Sequence, residues 1–340
     1  MSNTRIAIFG TGFWSHYQIS GWLEVGGVEI VAAYNRTLAK AQAVASKFNI
    51  PRVYGDPEDL LAHESIDVMD IIAEVPAHAP LVNLATRHKI PVICQKPMAP
   101  DLATAEQMVA VCRAAGVPFF IHENWRWQTP IRALKAVLDS RTIGAPFRAR
   151  MDMLSGLPVF ANQPFLKTLD HFILTDLGSH LLDTARFLFG EATSLYCQSQ
   201  KIHPDIAGED AATLILHMGD RITVTVNMAY AENYLEHDCF PQTFIFIEGE
   251  KGSIELGSNY WLRVTTQQGT HSRRVPPPRY AWADPAYDVV QSSIVPCNAD
   301  LLRALKGEGN AETTGEDNLE TVRLVFSAYD SAVANQVITF

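Results

Sequence analysis

The chain has 340 residues, 47% of them hydrophobic and 19% charged, which suits a folded protein of two domains better than one ordinary core or a disordered segment. A net charge of −10 argues against nucleic acid and membrane as partners, because both call for a basic face. The five cysteines (Cys94, Cys112, Cys197, Cys239, Cys297) show no C-x-x-C pairing, so neither a metal site nor a disulfide framework is expected.

Residues 5–9 read as a buried strand, and Gly10-Thr11-Gly12-Phe13-Trp14-Ser15 turns it into a helix over 13–24. Gly10 permits the tight turn, and Gly12 lets a pyrophosphate approach the backbone at a helix N-terminus. Ser15 stands in place of the third glycine of the dinucleotide fingerprint. Phe13 and Trp14 join the two glycines as cofactor-binding candidates. No leader-type segment precedes this strand, and no apolar run approaches the ~18–20 residues of a membrane span. With scattered, unpaired thiols, this points to the cytoplasm.

A second strand over 28–34 ends at Asn35-Arg36, where dinucleotide folds usually carry an acid that binds the adenosine ribose and favours NAD. Asn35 can hydrogen-bond a ribose hydroxyl. Arg36 can pair with a 2′-phosphate or stack on adenine, so the cofactor is NAD or NADP; a solvated Arg36 is the alternative. Helices over 38–48 and 79–88 and strands near 53 and over 68–73 follow. The run 90–94 is short, apolar and β-branched, a buried parallel strand. Lys96 falls two residues beyond it, where ligands of open parallel sheets gather. A solvated loop lysine is the competing account. A helix over 102–115, with Asp101 as N-cap, and a strand over 118–121 complete a doubly wound sheet in an α/β domain, residues 1–123.

The second domain, residues 124–340, opens within the crossover His-Glu-Asn-Trp-Arg-Trp-Gln-Thr-Pro. Its indoles and polar side chains are unusual for a bland loop. A helix over 131–140 and a strand over 147–154 lead to a long helix over 172–189, closed by Gly190. On that helix Asp176, His180 and Asp183 share one face at i, i+4 and i+7, together with Phe172, Ile173 and Phe187. A solvated polar face is possible there, but large apolar residues among an acid and a histidine fit the wall of a cleft better. From residue 192 the pattern is strand. Ile222, Val224 and Val226 alternate with polar neighbours, so a large, mostly antiparallel sheet with helices on one face is expected in an α+β domain. Helices near 289–306 and 318–335 end the chain.

Gln95-Lys96-Pro97 resembles the Glu-Lys-Pro signature of the Gfo/Idh/MocA oxidoreductases, with Gln95 in the glutamate position. Residues 176–183 match the family's D-x-G-x-H-x-x-D helix position by position. Asn124 and Arg126 match its N-x-R crossover, and 244–256 its strand–G-x-x-G–strand hairpin. The resemblance implies an NAD(P)-dependent dehydrogenase that oxidises a hydroxyl-bearing carbon of a small sugar or polyol. His180 would take the proton, Asp176 would bind an adjacent hydroxyl or orient the imidazole, and Lys96 would bridge substrate oxygen and cofactor. Gln95 and His78 would lie beside the cofactor, His78 near the nicotinamide ribose. Asn124, Arg126 and Asp170 would join Asp176 and His180 around the substrate. It also implies a homodimer or homotetramer assembled through the C-terminal sheet. The Gln-Lys-Pro and His-Glu-Asn-Trp-Arg-Trp combination resembles a branch of the family whose members oxidise the anomeric carbon of a pentose such as D-apiose, and this likeness implies a lactone product. Two alternatives remain: a relative that cleaves glycosides by transient oxidation, and a non-catalytic dinucleotide sensor.

Overall fold

The computed structural model describes residues 3–155, 159–231, 239 and 241–340, which divide into two compact units. The first unit alternates strand and helix: β1 (Thr4–Phe9), α1 (Ser15–Val25), β2 (Val28–Tyr34), α2 (Leu38–Phe48), β3 (Arg52–Tyr54), α3 (Pro57–His63), β4 (Val68–Ile71), α4 (His78–His88), β5 (Val92–Gln95), α5 (Leu102–Ala115) and β6 (Phe119–His122). The six strands are all parallel, in the order β3-β2-β1-β4-β5-β6. Every residue of β4, β5 and β6 is buried, as strands covered on both faces require. Asp101 caps α5 by accepting from the Thr104 amide at 2.7 Å, and Gly116 ends it at φ 65°.

The remaining elements are α6 (Thr129–Asp139), β7 (Pro146–Ser155), the short α7 (Val159–Asn162), α8 (Ser179–Phe189), β8 (Ala192–Gln200), β9 (Ala211–Met218), β10 (Ile222–Tyr230), β11 (Phe244–Gly249), β12 (Gly252–Gly257), β13 (Trp261–Thr266), β14 (Gly269–Arg274), α9 (Asp288–Gln291), α10 (Ile294–Leu305), α11 (Gly315–Ala334) and β15 (Ile338–Thr339). Nine strands form one sheet in the order β14-β13-β12-β11-β7-β10-β9-β8-β15, antiparallel except at β7–β10. Along β10, Ile222, Val224, Val226, Met228 and Tyr230 are buried, whereas Thr223 is exposed and Asn227 half-buried. The period-two pattern therefore separates a core face from an outer face. Helices α6 and α8 pack on strands of this sheet.

Two features depart from the sequence-based expectation. Residues 281–283 and 294–322, expected in a domain spanning 124–340, belong to the first unit. Gly21 explains part of this: a Cβ there would meet Ile294 Cγ2 at 2.5 Å, so glycine lets α10 lie directly on α1. The Ile121 amide also donates to the Thr313 carbonyl at 2.9 Å, and Phe120 and Thr314 form a short antiparallel bridge beside β6. Second, the helix expected over 172–189 is not uniform. Leu174–Gly178 form a π-helical turn ahead of α8.

Candidate active site

In the first unit the turn after β1 is built for close approach. Gly10 has φ 108°, and a Cβ there would sit 2.4 Å from the Ile72 carbonyl oxygen, so only glycine fits. A Cβ on Gly12 would meet nothing within 4 Å, which leaves open space at the entrance to α1. Ser15 is fully buried, and its hydroxyl donates to the Gly12 carbonyl at 2.6 Å, closing the turn. Thr11 Oγ1 is buried with no hydrogen-bond partner among the described residues. An open glycine beside a waiting hydroxyl at a helix N-terminus fits the pyrophosphate of a dinucleotide. Phe13 is 71% exposed and Trp14 half-buried, so of the two Phe13 offers the more accessible surface.

At the end of β2, Asn35 Oδ1 accepts from the Thr37 amide at 2.8 Å. Its side-chain NH2 group is the part left for a ribose hydroxyl. Arg36 is exposed and forms no ion pair among the described residues. His78 is buried, with Nδ1 at 3.1 Å from the Met98 carbonyl oxygen and Nε2 at 3.1 Å from that of Ala73. Burial lowers its pKa despite the opposing effect of these carbonyls. The ring ties the loop after β4 to the loop that carries Lys96, rather than standing free for a ribose. Lys96 is half-buried, and its bond to Pro97 is cis. Gln95, expected beside the cofactor, turns its side chain into the domain: it is 7% exposed and bonded to Gln18 and His122.

In the second unit His180 is 5% exposed and stacks on Trp125, with ring centroids 4.2 Å apart and planes at 21°. The indole is fixed by its Nε1–H donating to Thr243 Oγ1 at 2.9 Å. Tyr230, at the end of β10, donates its hydroxyl to Asp176 Oδ2 at 3.3 Å and stacks on Phe172. Burial, then the Asp176 charge, hold the phenol well above its usual pKa, so it remains a donor. The π-helical turn includes Asp176 and ends just before α8, so the shared-face argument from α-helical spacing applies only to His180 and Asp183 within α8. Asp176 is placed by Tyr230 instead. Tyr230 was not singled out from sequence; its signal was the continuation of the buried alternation along β10.

Two expected substrate contacts are engaged by partners within the protein. Arg126 is buried and pairs bidentately with Asp183, its Nε donating to Oδ2 at 2.8 Å, so its planar fork is engaged by protein. Asn124 donates its side-chain amide to Ser293 Oγ at 2.8 Å and the Val290 carbonyl at 3.1 Å, and is 2% exposed. Asp170, the third expected contact, is exposed and shows no side-chain hydrogen bond among the described residues. A further group missed from sequence is Glu209. Its carboxylate accepts from the Phe172 and Leu174 amides at 3.2 Å each and from Tyr329 Oη at 2.6 Å, gripping the start of the Asp176 segment.

Residues 4–123 match the model of the oxidoreductase family with an NAD-binding Rossmann fold, Gfo/Idh/MocA, and residues 131–255 match the Gfo/Idh/MocA C-terminal domain. The chain is 39% identical to the D-apiose dehydrogenase of Rhizobium rhizogenes, covering 99% of this chain and 98% of that protein. The chain belongs to the Gfo/Idh/MocA family. The D-apiose dehydrogenase of Paraburkholderia graminis is 38% identical, over 96% of this chain and 87% of its own. The crystal structure of an oxidoreductase from Agrobacterium radiobacter, in complex with NAD+, L-tartaric acid and magnesium, superposes with a TM-score of 0.97 at 38% identity, covering 99% of this chain and 98% of that one. Within this family the chain is an NAD-dependent oxidoreductase, and its doubly wound domain is the NAD-binding one. No helix among the described residues is long and apolar enough to cross a membrane.

Proposed function

We propose that the chain oxidises D-apiose, or a similar pentose in ring form, at its anomeric carbon to the lactone. The observation that supports this reading is full-length similarity at 39% identity to a D-apiose dehydrogenase, together with retention of Lys96, Asp176 and His180. When bound, NAD+ supplies the hydride acceptor. His180, stacked on Trp125, is the base that takes the anomeric hydroxyl proton. Asp176 binds a neighbouring sugar hydroxyl, and Tyr230 holds the carboxylate ready. The Lys96 ammonium stabilises the developing negative charge on the substrate oxygen. The C1 hydrogen leaves with its bonding electron pair, the hydroxyl hydrogen passes to His180 as a proton, and the hemiacetal carbon becomes the lactone carbonyl.

Gly10, Gly12, Phe13, Asn35 and Arg36 are the residues that we assign to the cofactor's pyrophosphate and adenosine end. The first domain is the cofactor domain and the second the substrate domain. The latter assembles copies into a homodimer or homotetramer through the outer face of the nine-stranded sheet, where Ile215 is 49% exposed. The free cysteines, four of the five buried, fit a reducing cytoplasm.

The deciding assay follows reduced-nicotinamide absorbance with NAD+ or NADP+ and a panel of D-apiose, aldopentoses, polyols and cyclitols. D-Apiose with NAD+ is expected to give the fastest turnover, with acid appearing as the lactone hydrolyses. Turnover of cyclitols alone would overturn the anomeric-carbon assignment. Glycoside cleavage without net NADH would favour the transient-oxidation relatives.

A further inference from the structure

Beneath the Lys96 loop, within the first unit, lies a closed chain of buried polar side chains that none of the roles above uses. Asp70 on β4 is fully buried. Its carboxylate meets only donors: Gln18 Nε2 at 2.7 and 2.9 Å and Trp22 Nε1 at 2.8 Å, both from α1. A carboxylate in that setting can only accept, and this fixes the direction of everything beyond it. Gln18 must turn its NH2 group to Asp70, which leaves Oε1 facing Gln95. Gln95 Nε2 donates to that oxygen and to His122 Nδ1, the latter at 3.0 Å. His122 therefore presents a bare Nδ1 and carries its proton on Nε2, which donates to Asn298 Oδ1 on α10 at 3.0 Å. Asn298 Nδ2 returns to the Gln18 carbonyl at 3.4 Å. The ring joins α1, β4, β5, β6 and α10, and Gln95 is its link next to Lys96.

We propose that Gln95 is a positioning residue for Lys96, and that this buried ring accommodates a single carboxylate, carried here by Asp70, which is why an amide stands where the family signature has glutamate. A glutamate at position 95 would set an acceptor against Gln18 Oε1 and against the lone pair of His122 Nδ1. It would also place a second negative charge one amide away from Asp70 in a dry site. Titratable groups beside Asp70 and Gln95 include Cys94 on β5 and His122 on β6. The Cys94 thiol stays protonated, pushed up by burial and then by Asp70. The neutral Cys94 thiol brings no positive charge to offset a second carboxylate. Moving the carboxylate, rather than adding one, solves the problem. When Asp70→Asn and Gln95→Glu are combined, Gln18 can reverse. Its NH2 group then serves the carboxylate introduced at position 95, and its oxygen takes a hydrogen bond from the amide introduced at position 70. The oxygen of that amide still accepts from Trp22.

The inference rests on the reading of Lys96 as the ammonium that serves sugar oxidation, and the test separates the two. Three proteins are compared: wild type, Gln95→Glu, and Asp70→Asn with Gln95→Glu. Gln95→Glu should lower kcat by about tenfold or more near pH 8, the cost of a displaced catalytic group, while the KM for sugar changes little. Its activity should recover relative to wild type as the pH falls and the introduced carboxylate protonates. The double variant should regain kcat to within about threefold of wild type, because neighbouring sites in one network are not additive. His122 ring nitrogen signals should show a bare Nδ1 in wild type and a protonated one wherever the introduced carboxylate is charged. Wild-type kcat and pH profile in Gln95→Glu, a loss confined to melting temperature, or a double variant no better than the single would each overturn the proposal. If Gln95→Glu does not fold, a folded, active double variant supports the one-carboxylate rule and a misfolded one refutes it. A wild type inactive on D-apiose would count against the function alone, since the His122 signals of the three proteins are read without turnover.

Discussion

The two units each bury an aspartate next to functional side chains, and they neutralise the cost in opposite ways. Asp183 in the second unit is matched charge for charge by the Arg126 guanidinium, with side-chain exposures of 0% and 6%. Asp70 in the first unit has neutral NH groups of Gln18 and Trp22 around it instead of a cation. Desolvation outweighs these hydrogen bonds and raises its pKa to about 7. Its partners are all donors, the setting that suits an ionised carboxylate, and a pKa raised to about 7 puts Asp70 near its point of balance at neutral pH. A paired buried charge makes a rigid joint whose energy depends on both partners being present. A charge held by neutral donors makes a joint that responds to pH.

The harshest test of this contrast is the removal of one partner. Arg126→Ala should destabilise the protein by about 3–5 kcal/mol, because Asp183 is left buried and uncompensated. Replacing both residues with apolar ones of similar volume should recover most of that loss in chemical denaturation. In the first unit the matching experiment is Asp70→Asn, read as stability against pH. The native pKa of Asp70 lies above its ordinary value of 3.8, so the native state holds the extra proton between about pH 4 and 7. Its contribution is present in full below that window and is lost as pH rises through it, on the order of a few kcal/mol. Urea titrations of wild type should show this fall, and those of Asp70→Asn should lack it.

Against these structural charges stand the side chains that we assign to chemistry. Lys96→Ala and His180→Ala should each cut turnover by ~10²-fold or more with little change in melting temperature, the reverse of the Arg126 result. NAD+ binding should survive in the His180 variant, as isothermal titration would show. Arg36, an exposed charge, should affect only cofactor binding. Arg36→Ala is expected to weaken NADP+ more than NAD+, by about 1.5–3 kcal/mol if it grips a 2′-phosphate, and equally for both if it stacks on adenine. Smallest of all, Tyr230→Phe removes one hydrogen bond to Asp176 and should lower kcat/KM by about fivefold, the equivalent of ~1 kcal/mol.

Local sequence determined much of this molecule. The bounds of β2, α2 and α5 follow from runs of apolar residues between glycine, Asn-Arg and Asp-capped breaks, because a strand or helix is coded by neighbours within one or two turns. The glycine turn at 10–12, the lysine beyond β5 and the 176–183 motif were also legible, as short stretches whose residue types have few other uses. What the tertiary structure decided was the use of each side chain. Arg126 and Asn124 looked like substrate ligands until Asp183, Ser293 and Val290, 57 to 169 residues away, claimed their donors. Gln95 looked like a cofactor contact until Gln18 and His122 closed on it, and α10 looked like part of the second domain until Gly21 let it settle on α1. The physical reason is the same each time. A buried donor is satisfied by whichever acceptor the fold brings within about 3 Å, and that distance is set by contacts remote in sequence, which no local pattern encodes.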